Sequence, residues 1–238
     1  MNKDAQQKIP FDNNENALIL LVSANTVLFV ILIFCKALYF MTADNSDATV
    51  IINAYHQDIF NWFVLPVSFS PFIRQPWSIF TYMFAHESIL YLLVNMAWLA
   101  AFGYILQKVS GNRKLIPLYL YGGFFGGLFF MLVNSIWVQN SNDSYFLLGA
   151  MPAIISVAAG TVTFVPNYKF FPKIGGGIPL WILFAVYMLI NLFVSVNAGM
   201  AYVSTILFCA LIGFFVMYQF KKGKDWCEWM YRITDKIK

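Results

Sequence analysis

The stretch ALILLVSANTVLFVILIFCKALYF, residues 17–40, carries a single charged side chain, Lys36. A helix of about 20 predominantly apolar residues crosses a hydrocarbon core roughly 30 Å thick. This run is too long for the apolar core of a cleaved signal, and mixed charge precedes it (Lys3, Asp4, Lys8, Asp12, Glu15). It therefore reads as a retained transmembrane helix. Five more apolar segments follow, at 88–106, 115–137, 145–165, 178–196 and 198–220, the third of them interrupted by Pro152. Composition points the same way. The chain of 238 residues is 60% hydrophobic and 11% charged, whereas soluble domains carry about 25% charged residues because their surfaces face water. Lipid must be part of its solvent. The expected fold class is all-α: a polytopic membrane protein with six transmembrane helices. Three parts are expected: a tail at 1–16, a membrane domain at 17–220 and a basic, aromatic tail at 221–238.

The basic residues give an orientation. The tail before the first segment, the connections 107–114 and 166–177, and the C-terminal tail together hold 13 of the 15 lysines and arginines. The alternate connections hold Arg74, and Lys36 sits near the end of the first segment, from where it can snorkel to the interface. Short basic loops stay in the cytoplasm, so both termini are expected there. Short loops and this topology suit a bacterial inner membrane. The connection 41–87 falls on the opposite side and is rich in aromatics (Phe60, Trp62, Phe63, Phe69, Phe72, Trp77). Its apolar runs are too short to span, and Pro66, Pro71 and Pro76 break regular helices. It is expected to lie in the membrane interface, as a structural collar or as a gate that contacts partners. The C-terminal tail, with Trp226, Trp229 and Tyr231 among its basic residues, reads as an interfacial anchor on an anionic leaflet. The expected partners are therefore lipid and other membrane segments, not nucleic acid.

Few residues could carry chemistry. Cys35, Cys209 and Cys227 are scattered, and two histidines, His56 and His86, are too few for a histidine-rich metal site. No metal or cofactor is expected. Polar side chains within the segments are functional candidates because burying them in lipid is costly. They are Tyr91, Asn95, Asn134, Asn191, Tyr202, Ser204 and Thr205, none ionised at neutral pH, which argues against a proton relay or an ion-coupled carrier. Gly122, Gly123, Gly126 and Gly127 form two overlapping GxxxG registers that let another helix approach closely. Internal packing is the expected use, with homo-oligomerisation the alternative.

One set of motifs has a recognisable order. Residues 75–86, QPWSIFTYMFAH, are followed by YLLVNM at 91–96, Phe102-Gly103, LGAMPA at 148–153 and NAGMAYVST at 197–205. In order, spacing and topology this region, from about Arg74 to Phe220, resembles the rhomboid intramembrane serine proteases. The resemblance implies that His86, Tyr91 and Asn95 occupy the positions of a His–His–Asn series on the second helix, the latter two in the oxyanion region. It aligns Gly149, Ala150, Met151 and Pro152 with a Gly-x-Ser-Gly or Gly-x-Ser-Ala motif, and Tyr202 with the histidine of the sixth helix. Members with an intact site hydrolyse peptide bonds with that serine and histidine.

Departures from the family pattern fall at Tyr91, where a histidine is replaced, at Pro152, and above all at the two reacting positions. A thioether, Met151, has no proton to lose and forms no acyl intermediate. A phenol with a pKa near 10, Tyr202, is a poor base at neutral pH. Loss of the nucleophile alone from a Ser–His unit costs about a millionfold in rate, so hydrolysis is expected to be negligible. Substitutes are remote: Ser156 is more than one turn past Met151, Ser204 lies on another helix face than Tyr202, and no third histidine exists. Pro152 is well tolerated in a first helical turn, which places the start of the fourth helix near Met151. The expected function is a rhomboid-like pseudoprotease that binds transmembrane segments of clients without cutting them. By resemblance such proteins act in trafficking, quality control or protection of clients. The alternative is an active intramembrane serine endopeptidase that uses non-standard residues. A small carrier or channel component lacks support for want of intramembrane charge.

Overall fold

The computed structural model describes residues 17–42, 47–137, 146–170 and 176–237. The N-terminal tail with Lys3 and Lys8, together with Lys173 and Lys238, lies outside the described residues.

The chain forms an all-α membrane bundle. Four helices are long and apolar enough to cross a membrane: α1 (Ala17–Thr42), α5 (Ile89–Ser110), α6 (Leu115–Trp137) and α9 (Met200–Lys221). Two shorter apolar helices complete the set, α7 (Met151–Phe164) and α8 (Leu180–Val196). At 1.5 Å per residue, α7 reaches only about 21 Å, short of the hydrocarbon core. It tolerates this because it stands at the centre of the bundle, flanked by α5, α6 and α9, with Pro152 to Thr161 all buried. Its polar ends therefore meet protein rather than lipid. The segment expected over 145–165 thus becomes a recessed helix preceded by strand β2 (Phe146–Leu147), which pairs antiparallel with β1 (Leu65–Pro66).

Close approach to α7 depends on residues without side chains. A Cβ placed on Gly122 would lie 2.3 Å from the Cβ of Ser156, and one on Gly213 would lie 2.0 Å from the Ser156 carbonyl oxygen. A Cβ on Gly126 would meet Cys209 Sγ at 2.5 Å. Gly123 and Gly127 face the connection before α5 instead, a Cβ there meeting Met83 at 2.4 Å and Ile79 and Leu65 at 2.8 Å. Both registers of the glycine pattern are thus occupied within the chain: one by α7 and α9, the other by the segment that carries Ile79 and Met83. In lipid, where apolar surface gives no drive to associate, such packing is what holds helices together.

Helix α1 buries one stripe, Leu21, Asn25, Phe29 and Leu32. The Asn25 amide donates to the Leu21 carbonyl (2.8 Å) and to Tyr119 Oη (3.3 Å), and Tyr119 in turn donates to the Met83 carbonyl (2.7 Å). One polar chain thus links α1, α6 and the α1–α5 connection.

That connection is built of short pieces, as its prolines require. Helix α2 (Ala48–Asp58) starts at Asp47, whose carboxylate accepts from the Thr49 N–H (3.1 Å). A 3-10 turn at Phe60–Trp62, then α3 (Phe69–Arg74) and α4 (Ser78–Thr81), lead to α5.

At the other end the basic loops converge. Lys108 donates to Tyr168 Oη (3.4 Å), and Lys221 to the Thr163 carbonyl (2.9 Å). Lys114, itself buried, pairs with Asp225. The tail after α9 is therefore docked rather than loose. Tyr121 donates to the Trp226 carbonyl (2.6 Å), Trp229 donates to Tyr121 Oη, and α10 (Glu228–Ile237) follows.

Candidate functional site

The residues singled out by the motifs meet at the end of the bundle opposite the basic loops, where α5, α7 and α9 begin. His86 is fixed just before α5 by two contacts. Its Nδ1 lies 3.1 Å from the Phe84 carbonyl, and its Nε2 lies 3.3 Å from Asn95 Nδ2. These partners set the tautomer: Nδ1–H donates to the carbonyl and Nε2 accepts from the amide. Burial holds the imidazole below its ordinary pKa, partly offset by the bond to Phe84. His86 is therefore a neutral, anchored ring that orients Asn95.

Gly149 closes the same corner. Its φ of +92° is the left-handed conformation that glycine adopts without strain, and its N–H donates to the Tyr82 carbonyl at 2.9 Å. A Cβ there would lie 3.8 Å from Asn95 Nδ2. The loop 146–150 thereby descends onto Asn95, and Ala150, fully buried, leads into α7. Pro152 lies in the first turn of α7, where a missing N–H removes nothing from the helix ladder.

Met151 and Tyr202 open α7 and α9. Met151 is partly buried and packs against the core. The Tyr202 hydroxyl donates to the Phe146 carbonyl, and its ring meets Phe130 edge-on at 5.0 Å. Its proton is directed into the backbone five residues before Met151. Tyr91 stands one turn before Asn95 on the same face of α5, 65% exposed and without a hydrogen bond among the described residues. The structure therefore joins His86 and Asn95 by direct contact, sets Gly149 beside them and leaves Tyr91 at the rim.

The other nominated polar groups do not converge on this corner. Asn134, Asn191 and Thr205 bond the carbonyls four residues back (2.8, 2.8 and 2.7 Å), and Ser204 bonds that of Ala201 (3.0 Å). Such back-bonding satisfies a hydroxyl or amide within its own helix. Ser156 is fully buried against Gly122 and Gly213, and its hydroxyl has no hydrogen-bond partner among the described residues. Neither serine has a histidine as partner. No group of three or more potential metal ligands exists among the described residues.

Two supporting residues were not singled out from the sequence. Tyr82 is fully buried, donates to the Gly123 carbonyl (2.7 Å) and accepts from Gly149 through its own carbonyl. Phe146 supplies the acceptor for Tyr202. Both act through backbone oxygens, which side-chain chemistry does not advertise. For Tyr82, its place inside the motif TYMFAH was the available signal.

The arrangement holds an amide, a histidine and the first turn of a helix in one corner, with Met151 and Tyr202 at the starts of the adjoining helices α7 and α9. Comparison with known proteins places it. A family model described as the rhomboid domain matches residues 73–221, more than half of the chain. The chain is 26% identical over 137 residues to the rhomboid protease GlpG of Salmonella choleraesuis strain SC-B67, covering 50% of this chain and 46% of that protein. It is 25% identical, with the same coverage, to rhomboid protease GlpG of Salmonella typhi. The match thus spans about half the length of these curated relatives. With the motif order, the bundle and the family match in agreement, this membrane protein belongs to the rhomboid family.

Proposed function

We propose that this rhomboid-family protein is a pseudoprotease: it binds transmembrane segments of client proteins and does not hydrolyse them. The observation that carries the reading is the pair Met151 and Tyr202 at the reacting positions, with the Tyr202 proton committed to the Phe146 carbonyl. A thioether cannot form an acyl intermediate, and a hydrogen-bonded phenol does not serve as a general base near pH 7. The hydroxyls that could stand in are back-bonded or packed away from His86. Surface for a client is available on α8, which buries only Leu180, Tyr187 and Ser195 and exposes Leu189, Phe193 and Val194. Contact between α8 and α5 includes aromatic pairs, Trp98 with Tyr187 at 4.6 Å and Phe102 with Phe184 at 6.5 Å. Aromatic pairs of this kind contribute about 0.5–1.5 kcal/mol each beyond burial, a barrier that an entering helix can displace. The bias of basic residues supports cytoplasmic termini, and the bacterial relatives support an inner-membrane location.

The test is direct. The purified chain is reconstituted in liposomes with a single-span substrate, and a photocrosslinking amino acid replaces Phe193 on α8. Intact substrate captured through α8, with no cleavage product, is the expected result. Cleavage that Ser156→Ala or Ser204→Ala abolishes would establish the active-protease reading instead.

A further inference from the structure

The α1–α5 connection carries a polar cleft that the candidate site does not use. It is an open cleft of about 390 Å³ lined by Gln57 of α2, Asn61 and Trp62 of the 3-10 turn, Ser70, Pro71 and Arg74 of α3, and Gln75. Arg74 supplies a positive charge and a planar fork of five donors suited to a phosphate. Asn61, Gln57 and Ser70 add neutral donors. Gln75 already donates to the Val64 carbonyl (3.4 Å), which fixes that wall of the cleft. No carboxylate lines it. In charge and donor chemistry the cleft suits an anion with several oxygens.

The rim adds a second requirement. Trp62 and Trp77 stack 5.7 Å apart at 10°, joined by the Trp77 indole N–H donating to the Trp62 carbonyl at 3.0 Å. Both are about half exposed, at 47% and 45%. Beside Arg74, Ile73 is 77% exposed, and Phe69, one turn earlier, is 43% exposed. Indole rings favour the depth of lipid headgroups, and bare isoleucine and phenylalanine favour the acyl chains just beneath. A free anion uses the cleft but makes no use of the apolar side chains beside it. An amphiphile with an anionic phosphodiester satisfies both.

We infer that this cleft is a binding site for one anionic glycerophospholipid, its phosphodiester held by Arg74 with Asn61, Gln57 and Ser70, its glycerol against Trp62, and its chains beside Phe69 and Ile73. The site lies apart from Met151 and Tyr202, so it stands whether or not the chain cleaves anything. Its occupant would pin the α1–α5 connection to the membrane interface.

The test uses the full chain, purified in mild detergent and stripped of lipid, and reads bound copies by native mass spectrometry. Phosphatidylglycerol, phosphatidylcholine and inorganic phosphate are titrated separately. We expect one phosphatidylglycerol copy to bind about tenfold tighter than phosphatidylcholine, and Arg74→Gln to weaken that copy about tenfold. Arg113→Gln, at the opposite end of the bundle, is expected to leave it unchanged. Because Arg74 is exposed, the variant should retain the wild-type melting temperature. Asn61→Asp, which adds a repelling carboxylate, should weaken the same copy independently. Equal binding of both lipids, or an unchanged copy in Arg74→Gln and Asn61→Asp, would overturn the inference. Displacement of the lipid by inorganic phosphate at matched concentration would reassign the cleft to a free anion and overturn it as well.

Discussion

Gly122 and Ser156 form a contact on which the packing of α7 rests. An alanine at 122 would put its Cβ 2.3 Å from the Ser156 Cβ, 3.0 Å from its Oγ and 3.1 Å from the Pro152 carbonyl oxygen. Carbon atoms sit comfortably about 3.8 Å apart, so α6 and α7 must separate by about 1.5 Å. Overpacking of this kind costs about 1–3 kcal/mol. Ser156→Gly removes both offending side-chain atoms. By itself it costs about 0.5–1 kcal/mol of helix preference, lessened because the hydroxyl it deletes is buried without a partner. The two substitutions should therefore couple. Gly122→Ala with Ser156→Gly is expected to be more stable than Gly122→Ala alone, with an interaction of about 1–2 kcal/mol in a double-mutant cycle. Equilibrium unfolding of the four proteins in mild detergent measures it. Strict additivity would refute the reasoning. It would mean that the Ser156 side chain turns away from Gly122, and it would restore Ser156 as a candidate nucleophile.

Three further outcomes follow from single contacts. Tyr202→Phe removes the donor to the Phe146 carbonyl and is expected to cost about 0.5–1.5 kcal/mol in the same unfolding assay; an unchanged midpoint would show that this bond adds no net stability. Lys114→Met leaves Asp225 without its buried cation, so protease cleavage within 222–232 should accelerate severalfold while the membrane helices stay protected. His86 has a folded pKa below its ordinary value because burial disfavours the charged ring. Its contribution to stability is complete above about pH 6.5 and is lost as pH falls toward the folded value. The melting temperature should therefore drop between pH 7 and pH 5, and His86→Gln should flatten that drop.

Much of this architecture could be read from residue order, because lipid removes most alternatives. A segment such as 17–40 has one apolar solution, and a helix satisfies every backbone group within itself. The unusual start of α7 was legible too, since Pro152 suits a first helical turn. The beginning of the segment at 145 was less legible. Leu147 and Leu148 are apolar, but Gly149 takes a left-handed turn and Phe146–Leu147 pairs with β1, a partner about 80 residues distant. Nor did composition announce α2, which is half polar and is started by the Asp47 carboxylate. For the tail at 221–237, basic and aromatic residues suggest a membrane-surface anchor, and the contacts of Lys114 and Tyr121 with it add a docking on the bundle that composition does not show.

The candidate site was legible where side chains carry chemistry. Asn95, His86, Met151 and Tyr202 follow from motif order. The backbone oxygens of Tyr82, Phe84 and Phe146, which hold Gly149, His86 and Tyr202 in place, depend on three-dimensional approach that no single-residue pattern records. The way the polar residues within the helices are satisfied was hidden for a related reason. Asn134, Asn191 and Thr205 look costly in lipid until the carbonyl one turn back is seen to accept from each.

Whether any nucleophile operates in this bundle is best decided by incubating the pure, folded chain with a fluorophosphonate and then measuring its intact mass. Rhomboid protease GlpG, treated in parallel, serves as the reactive control. An unchanged mass is expected for this chain under conditions that label the control. A stoichiometric adduct mapped by peptide mass to Ser156, Ser204 or any other single hydroxyl would contradict the pseudoprotease reading.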